Sequence, residues 1–319
     1  MSSVKLHQLK YFVRVAEEGS ISKASVLLGV AQPAISQNVA SLEHHFQAKL
    51  FDRSSRGVTL THEGKMLMDY ARTILRQVDR ATTEIRNMKE GVRGEVIVAL
   101  PSASALMLSS KLVRRVANEY PEVKLSVTES MSGQTADTIS KGHADLALVP
   151  NGHLLRDVEA ETVLIETLHF GGLETEELRG RDDIDFSEVC RYPLILPIKP
   201  NFVRGTLEQA AFDHGLELNI VAEQSSSRLL QGLLADGIGY SVLTWPSFYM
   251  NLQNDKFTVK KVVNPEFSRP LTIALPAKGV LSERVVTVRN LLREIIAEAH
   301  AEGILRGQLE GATALIAQG

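Results

Sequence analysis

Residues 20–64, SISKASVLLGVAQPAISQNVASLEHHFQAKLFDRSSRGVTLTHEG, hold the pattern that decides the fold of the N-terminal part of the chain. Ser20 or Ser22 can cap a helix of about two turns that ends at Gly29, and Pro33 fits the first turn of a second helix. Apolar residues at helical spacing are expected to be buried, namely Ala24, Leu27 and Leu28 in the first helix and Ile35, Val39, Leu42 and Phe46 in the second. Two short helices joined by a turn with a glycine predict a helix-turn-helix.

The segments on either side extend this motif. Residues 50–64 contain two short extended pieces around a polar tip, where Arg53, Arg56 and Gly57 give the composition of a β-hairpin wing. Upstream, apolar residues recur at intervals of three and four between residues 6 and 16 and predict one further helix. The sequence therefore predicts a winged helix-turn-helix, whose basic wing residues can reach phosphates or a narrow minor groove.

The second helix of such a motif enters the major groove by its N-terminal residues. In this chain those residues include Gln32, Ser36 and Gln37, which lie off the apolar stripe. A glutamine can pair bidentately with adenine, and a serine hydroxyl can donate or accept a hydrogen bond. By spacing alone, a solvated helix face or a three-helix docking module is an alternative to DNA recognition.

The same stretch resembles the N-terminal domain of LysR-type transcriptional regulators. The matching motifs are S-x-A at 22–24, A-Q-P-A-x-S-Q at 31–37, L-E at 42–43, L-F-x-R at 50–53 and T-x-x-G at 61–64. The resemblance implies that the matching residues of the recognition helix and wing contact DNA, which here are Gln32, Pro33, Ser36, Gln37, Arg53 and Arg56. We also place Ser22 and Lys23 among the DNA-binding residues. Double-stranded DNA is thus the first expected partner, and RNA polymerase is a further candidate partner.

Residues 64–89 contain no proline and no internal glycine, which predicts one long helix. Its apolar residues follow the a/d spacing of a coiled coil and are Leu67, Ala71, Ile74, Val78, Ala81, Ile85 and Met88. We expect this seam to pair with a second copy of the chain, although an amphipathic helix packed on its own domain would also fit. A homodimer would read an inverted-repeat operator with half-sites roughly 34 Å apart. The resemblance implies the same linker-helix dimer, and we expect a homotetramer of two such dimers.

After Gly94 the pattern changes to strands alternating with helices, which predicts an α/β fold with a parallel sheet covered on both faces. The predicted strands are 95–100, 123–129, 144–150, 192–197, 218–224, 239–244 and 270–276, and the helices are 106–118, about 135–141, after 201, 227–236 and 282–298. The C-terminal segment is predicted to be partly ordered helix. This half resembles the LysR-family effector domain, which has two subdomains like a periplasmic solute-binding protein.

These patterns divide the chain into a winged helix-turn-helix at residues 1–62, a linker helix at 63–90, an effector domain at 91–302 and a C-terminal tail at 303–319. Within the effector domain we expect subdomain 1 to comprise 91–165 and 268–302, and subdomain 2 to comprise 166–267. Within the family, the wing at residues 49–61, KLFDRSSRGVTLT, and KPNFVR at 199–204 resemble the nitrogen-assimilation control regulators.

Two such units form a cleft in which ligands bind at the carboxyl ends of strands. The candidates for effector binding are Ser102, Ser104, Ser130, Ser132, Asn201, Phe202, Arg204 and Ser225; family members use the residue that matches Ser132. Arg204 could bind a carboxylate bidentately beside the apolar wall of Phe202, which favours a small anionic metabolite as the effector. The alternatives are a plain helix cap for each serine and a surface ion pair for Arg204.

The composition narrows the class of protein. No stretch approaches the ~20 apolar residues of a membrane span, and the first residues lack the apolar segment of a signal peptide. We therefore expect a cytoplasmic protein with no membrane partner. Residues 1–90 carry 13 Lys and Arg against 9 Asp and Glu, while the remainder carries 22 against 29. A modestly basic head thus precedes an acidic body, and a non-specific nucleoid protein would need a stronger positive charge.

An enzyme and a solute-binding protein are the competing classes. The sequence has no G-x-S-x-G, P-loop, H-E-x-x-H or dinucleotide glycine motif, so we expect no catalysis and no cofactor. Its one cysteine, Cys190, is expected to be a buried apolar residue, and no Cys or His pair has metal-ligand spacing. A solute-binding protein is compatible with the effector half, but the DNA-binding head favours a regulator.

Overall fold

The computed structural model describes residues 4–54, 57–87, 92–130, 138–139, 143–155, 158–277 and 281–310. The chain divides into two units, Met1–Gly91 and Val92–Gly319, and each is described by itself. The first unit, the head, contains helices and one hairpin: α1 Leu6–Glu18, α2 Ile21–Leu28, α3 Gln32–Phe46, β1 Phe51–Ser54, β2 Gly57–Leu60 and α4 His62–Asn87. The hairpin strands are antiparallel, with Phe51 opposite Leu60.

The residues predicted to begin and end the helices of the helix-turn-helix do so in the structure. The amide of Lys23 donates to Ser20 Oγ (3.3 Å), so Ser20 caps α2. Gly29 ends that helix with φ 64°, a left-handed conformation that costs glycine little. Pro33 lies in the first turn of α3, where its missing N–H has no partner to lose.

Two residues expected in the core of the head are exposed. Leu27 is 62% exposed because the buried side of the short helix α2 runs through Ala24 and the partly buried Leu28. Phe46 is 43% exposed because Glu43 occupies the inward position in the last turns of α3. The Glu43 carboxylate accepts hydrogen bonds from the backbone amides of Leu50 (2.9 Å) and Phe51 (3.4 Å), so a buried acid joins α3 to the start of the wing.

Helix α4 has two different faces. Ala71, predicted to lie in a coiled-coil seam, is instead fully buried in the core of the head together with Met68, and Leu67 packs partly against the same core. A second apolar row remains exposed along the helix and comprises Met66, Tyr70, Ile74, Val78, Ala81 and Ile85. We call this row the α4 stripe. Met88, the last residue of the predicted seam, lies outside the described residues.

The second unit, the effector unit, alternates strands and helices as predicted but has more strands. Its elements are β3 Gly94–Pro101, α5 Ser102–Glu119, β4 Val123–Ser130, β5 Leu146–Pro150, β6 Val158–Leu173, β7 Asp183–Asp185, α6 Phe186–Val189, β8 Leu194–Pro197, α7 Phe202–Asp213, β9 Ile220–Gln224, α8 Ser227–Ala235, β10 Ser241–Thr244, β11 Phe257–Val263, β12 Ser268–Pro276, α9 Glu283–Ala301 and β13 Gly307–Leu309. A turn of 3-10 helix, Trp245–Phe248, follows β10. Of the helix expected at about 135–141, only residues 138–139 are described, and they are helical.

The expectation of a purely parallel sheet is wrong. Strand β3 pairs in parallel with β4 and β5, and β8 pairs in parallel with β9, but β12 runs antiparallel to both β5 and β6. Strands β10, β11 and β13 also pair antiparallel with β6. The sheet is mixed because the 16-residue strand β6 connects its two parts. The C-terminal segment contributes strand β13 where helix was expected, because its amides complete the edge of β6.

The two largest apolar cores of the effector unit define two lobes. The first lobe packs residues from 92–164 and 271–309 around β3, β5, α5 and α9, with Leu108, Leu148 and Ile295 fully buried. The second lobe packs residues 168–267, with Phe170 and Phe186 fully buried. The chain therefore crosses between the lobes within β6 and again at the start of β12. No helix in the described ranges is long and apolar enough to span a bilayer.

Candidate DNA-binding surface and effector cleft

The N-terminal turns of α3 present an exposed polar surface. Gln32, Pro33 and Gln37 are exposed and Ser36 is half-buried. In the described part of the chain, no residue forms a hydrogen bond with the side chains of Gln32, Ser36 or Gln37. Their donors and acceptors are therefore available to base edges, as recognition in the major groove requires.

Contacts from α1 hold α3 in position. The Nε2 of Gln8, which is buried, donates to Ser41 Oγ (3.2 Å), and His7 Nε2 lies 3.2 Å from Asn38 Oδ1. Asn38 Nδ2 also donates to the Ala34 carbonyl within α3 (2.8 Å). These bonds fix the rotation of α3, so the polar row faces away from α1.

The wing is tied to the rest of the head at both ends. Thr61 Oγ1 donates to the Lys49 carbonyl (2.7 Å), and the amide of Val58 donates to the Gly19 carbonyl (2.9 Å). At Gly57 the backbone has φ 126°, and a Cβ there would lie only 2.7 Å from the Gly19 carbonyl oxygen, so the close approach requires glycine. Arg53 is exposed on β1, whereas Arg56 lies outside the described residues.

Ser22 and Lys23, the other DNA-binding candidates, are both exposed in the first turn of α2. A cation in this position can contact a phosphate without reading the sequence. The described candidates thus lie on exposed surface of α2, α3 and the wing.

The effector unit contains a cleft between its two lobes. The cavity measures about 80 Å³ and is lined from the first lobe by Pro101, Ser102 and Ala103. The second lobe contributes a polar wall, which comprises Asn201, Gln224, Ser225, Ser226, Ser227, Thr244 and Ser247. Sites for drug-sized ligands commonly enclose roughly 300–1,000 Å³, so this cavity suits a ligand of few non-hydrogen atoms.

Only part of the predicted effector set lines this cavity. Ser102, Asn201 and Ser225 do, and Asn201 also caps α7, because its Oδ1 accepts a hydrogen bond from the Arg204 amide (3.2 Å). Ser104 is instead 2% exposed inside α5, and Phe202 lies outside the lining. The backbone of Ser130 ends β4 opposite Pro101, whereas the Ser130 side chain and the whole of Ser132 lie outside the described residues.

The prediction that Arg204 grips an effector carboxylate is wrong for this geometry. Its guanidinium is buried away from the cavity, with Nε 2.7 Å from Glu208 and Nη1 2.8 Å from Glu223. Hydrogen bonds from Lys199 and Arg204 hold the pKa of Glu208 below its usual value, so that carboxylate stays charged. The charge of Arg204 is therefore balanced within the second lobe.

The basic residue that lines the cavity is Arg269, which was not among the residues predicted from the sequence. Arg269, at the start of β12, is buried, and its Nε donates to Glu166 Oε2 on β6 (2.9 Å). The Arg269 guanidinium makes no other hydrogen bond or ion pair with the described residues. A single arginine before an apolar strand gives no signal in the sequence, because its partner lies on a strand that was not predicted.

The first turns of two helices also open on this cavity. Ser102 begins α5 after Pro101, whose side chain cannot accept a capping bond, and Ser226 precedes α8 without a side-chain cap. Helix N-termini carry partial positive charge and free N–H groups that favour anions. The two helix N-termini therefore add positive potential to the cavity, while Arg269, whose charge Glu166 balances, adds N–H donors. No group of three or more His, Cys, Asp or Glu residues in the described ranges could hold a metal ion.

A winged head with free polar side chains on its recognition helix reads DNA, and a cleft between two α/β lobes binds small ligands, so the chain has the two parts of a ligand-responsive transcription regulator. The chain belongs to the LysR family of transcriptional regulators. Residues 6–65 match the bacterial regulatory helix-turn-helix protein of the lysR family, and residues 89–297 match the LysR substrate binding domain.

Similar proteins cover nearly the whole chain. The nitrogen assimilation regulatory protein nac of Klebsiella aerogenes is 31% identical over 300 residues, which are 94% of this chain and 97% of that protein. The structure of a full-length OxyR variant from Pseudomonas aeruginosa, at 21% identity, has a TM-score of 0.70 over 97% of this chain and 99% of that one. CbnR in complex with its target DNA, at 19% identity, has a TM-score of 0.66 over 91% and 99%. The predicted similarity to the nitrogen-assimilation regulators is confirmed.

Proposed function

We propose that the protein is a cytoplasmic, homodimeric regulator that reads an inverted-repeat operator with Gln32, Ser36 and Gln37. The observation that carries this proposal is the polar row on α3, in which Gln32 and Gln37 are exposed and Ser36 is half-buried, and whose side chains have no hydrogen-bond partner in the described part of the chain. Five further residues position the head on the DNA backbone: Ser22, Lys23, Pro33, Arg53 and Arg56. The α4 stripe pairs two copies, two dimers form a tetramer, and RNA polymerase is the partner at the promoter. Because the related family members are regulators, we propose no catalytic activity.

Replacing Gln32 with Ala is expected to reduce the preference for the operator about tenfold, because a bidentate contact to a base contributes roughly 1–3 kcal/mol of discrimination. The measurement compares fluorescence anisotropy of the chain's own upstream DNA with that of scrambled DNA at one moderate salt concentration. Binding to the scrambled DNA should not change, since phosphate contacts remain.

The matched control is Gln253→Ala, which removes an exposed glutamine from the effector unit. It should leave both affinities unchanged. Full operator preference in the Gln32→Ala protein would contradict the assignment of this residue. If no genomic fragment bound the unaltered protein at all, the proposed function itself would be wrong.

We further propose that the effector is a small carboxylate bound by Arg269. The Nε of Arg269 is held by Glu166, while its Nη donors remain without a partner among the described residues. An anion with additional polar groups fits this cavity. It would be bound by the Arg269 donors, the first amides of α5 and α8, and the hydroxyls of Thr244 and Ser247. The cavity volume of about 80 Å³ limits the effector to few non-hydrogen atoms.

Titration with acetate, malonate and succinate is expected to change the fluorescence of Trp245, the only tryptophan, because Trp245 directly follows Thr244 of the cavity wall. The double variant Glu166→Gln/Arg269→Gln keeps two hydrogen-bonding side chains and removes both charges, and it should bind the active carboxylate at least about tenfold more weakly. Acetamide is the uncharged control. Equal responses to acetamide and carboxylates, or equal affinity in the double variant, would contradict anion binding by Arg269.

A further inference from the structure

The segment after α9 contacts both lobes of the effector unit. Leu305 is 1% exposed in the core of the first lobe. Two residues later the chain forms β13, which pairs with β6 so that Gly307 lies opposite Glu166 and Leu309 opposite Leu164. This is the part of β6 in which the chain leaves the core of the first lobe for that of the second. We call residues 305–309 the C-terminal clasp.

The clasp approaches β6 more closely than a side chain at position 307 would allow. Gly307 has φ 151°, and a Cβ there would lie 2.0 Å from the Ile165 carbonyl oxygen. His300, in the last turn of α9, lies with its Nε2 3.0 Å from the Gly307 carbonyl oxygen. The position of the clasp is thus fixed from the first lobe by Leu305 and His300.

The residue between Leu305 and Gly307 contacts the second lobe. The Arg306 guanidinium carbon lies 3.2 Å from the centroid of the Trp245 ring, a cation–π contact. Trp245 also packs edge-on against His169 of β6, with ring centroids 5.4 Å apart. Burial, and then the nearby Arg306 charge, lower the pKa of His169 to about 4, so at neutral pH the imidazole is uncharged and does not repel the guanidinium.

Two residues that the clasp contacts, Trp245 and Glu166, are both next to residues that line the cleft. Trp245 lies between Thr244 and Ser247, which line the cavity, and the turn that it begins packs against α5 of the first lobe. Glu166, opposite Gly307, holds Arg269 at the cavity wall. A movement of either cavity wall must therefore change the backbone pairing or the ring contact of the clasp.

We propose that the C-terminal clasp holds the two lobes together through Arg306 and Trp245 and thereby sets how far the effector cleft opens. Its role in the response to an effector rests on the function proposed above, but the mechanical coupling does not. Loss of the Arg306 contact loosens the crossover in β6 and the turn after β10 together, and both walls of the cavity become more mobile.

The test uses the full-length dimer without DNA or ligand and measures backbone hydrogen exchange and Trp245 emission in Arg306→Ala. Exchange should increase about fivefold or more at residues 164–166, 245–248 and 102–105, and the emission should shift to longer wavelength as the ring becomes more hydrated. Arg306→Lys keeps the cation but not the planar guanidinium, and it should produce a smaller change at the same amides. The control, Arg191→Ala, removes an exposed arginine from the same unit and should change neither signal.

Faster exchange confined to residues 305–309 would overturn the proposal, because the contact would then be only local packing. Equal effects of Arg306→Ala and Arg191→Ala would overturn it as well. One outcome of Arg306→Ala is a loss of stability of the whole unit, with faster exchange everywhere. In that case the result for Arg306→Lys decides between coupling and local packing: faster exchange at residues 102–105 supports the coupling, and unchanged exchange there overturns it. Because no DNA or effector is present, this result is independent of operator recognition and of carboxylate binding.

Discussion

Replacing Glu166 with Ala is expected to lower the free energy of unfolding of the effector unit by about 3–5 kcal/mol, which is the usual cost of leaving a buried charge without its partner. Glu166 and Arg269 are both buried, and their 2.9 Å bond joins β6 to β12 directly across the register of the two strands. The free energy of unfolding of the effector unit can be measured by urea unfolding of the full chain with Trp245 fluorescence as the signal, because Trp245 is the only tryptophan and lies in that unit.

A matched control lies on the same strand. Glu161 forms an ion pair with Arg293 at 3.2 Å, but the two side chains remain partly exposed, at 41% and 29%, so Glu161→Ala should cost less than about 1 kcal/mol. The double replacement Glu166→Leu/Arg269→Met should recover much of the lost stability, because it leaves no unpaired charge. Similar losses in Glu166→Ala and Glu161→Ala would show that the buried pair has no special energetic role.

The double replacement Ile74→Asp/Val78→Asp is expected to weaken dimerisation about a hundredfold or more, a loss of roughly 3 kcal/mol. Both residues belong to the α4 stripe and are exposed in the single chain, so the carboxylates should not disturb the core of the head. In a dimer they would bring like charges into an apolar seam. Sedimentation over a range of protein concentrations gives the dimer dissociation constant.

The control for this experiment is Thr82→Asp, at an exposed position of α4 outside the stripe. It should leave the dissociation constant within about twofold of the original, because a solvated charge on a helix surface has a small effect. A dimer that tolerates Asp at both stripe positions would mean that the chains associate through another surface. Operator affinity should fall together with dimerisation, since one head reads only one half-site.

The head could be predicted in detail because its signals are local. A capping serine, a left-handed glycine and a proline in the first turn act within a few residues, as at Ser20, Gly29 and Pro33. The errors there concern which side of a helix faces the core. Glu43 takes the inward position expected for Phe46, and two backbone amides in the next segment make that burial favourable.

Helix α4 shows why heptad spacing alone does not predict which apolar residues are left for a partner chain. Leu67 and Ala71 follow the heptad spacing as well as Ile74 and Val78 do, but the first pair packs on the head and the second pair is exposed. A spacing pattern records that a face is apolar and does not record which partner covers it. The neighbouring Met66 and Tyr70 extend the stripe instead.

The effector unit was predicted at the level of its class, and its sheet and cleft were only partly predicted. Strand β6 contains Glu159, Glu161 and Glu166 among its apolar residues, so it lacks the continuous apolar run of a buried parallel strand. Without β6 the antiparallel pairing with β12 could not be inferred. The place of Arg204 at the start of a helix predicted an anion-binding role, but Glu208 and Glu223 balance its charge. Arg269 could not be identified, because its partner Glu166 lies on β6.

The two crossings between the lobes also impose an order on folding. The second lobe is formed by a continuous stretch, residues 168–267, whereas the first lobe needs α9 and β12 from the far end of the chain as well as β3, α5 and β5. As the chain leaves the ribosome, the second lobe can fold as soon as residue 267 has emerged. The first lobe keeps its apolar face exposed until β12 and α9 have also emerged. Any nascent or truncated chain that lacks α9 therefore presents an aggregation-prone surface, even though every residue of its DNA-reading head is already present.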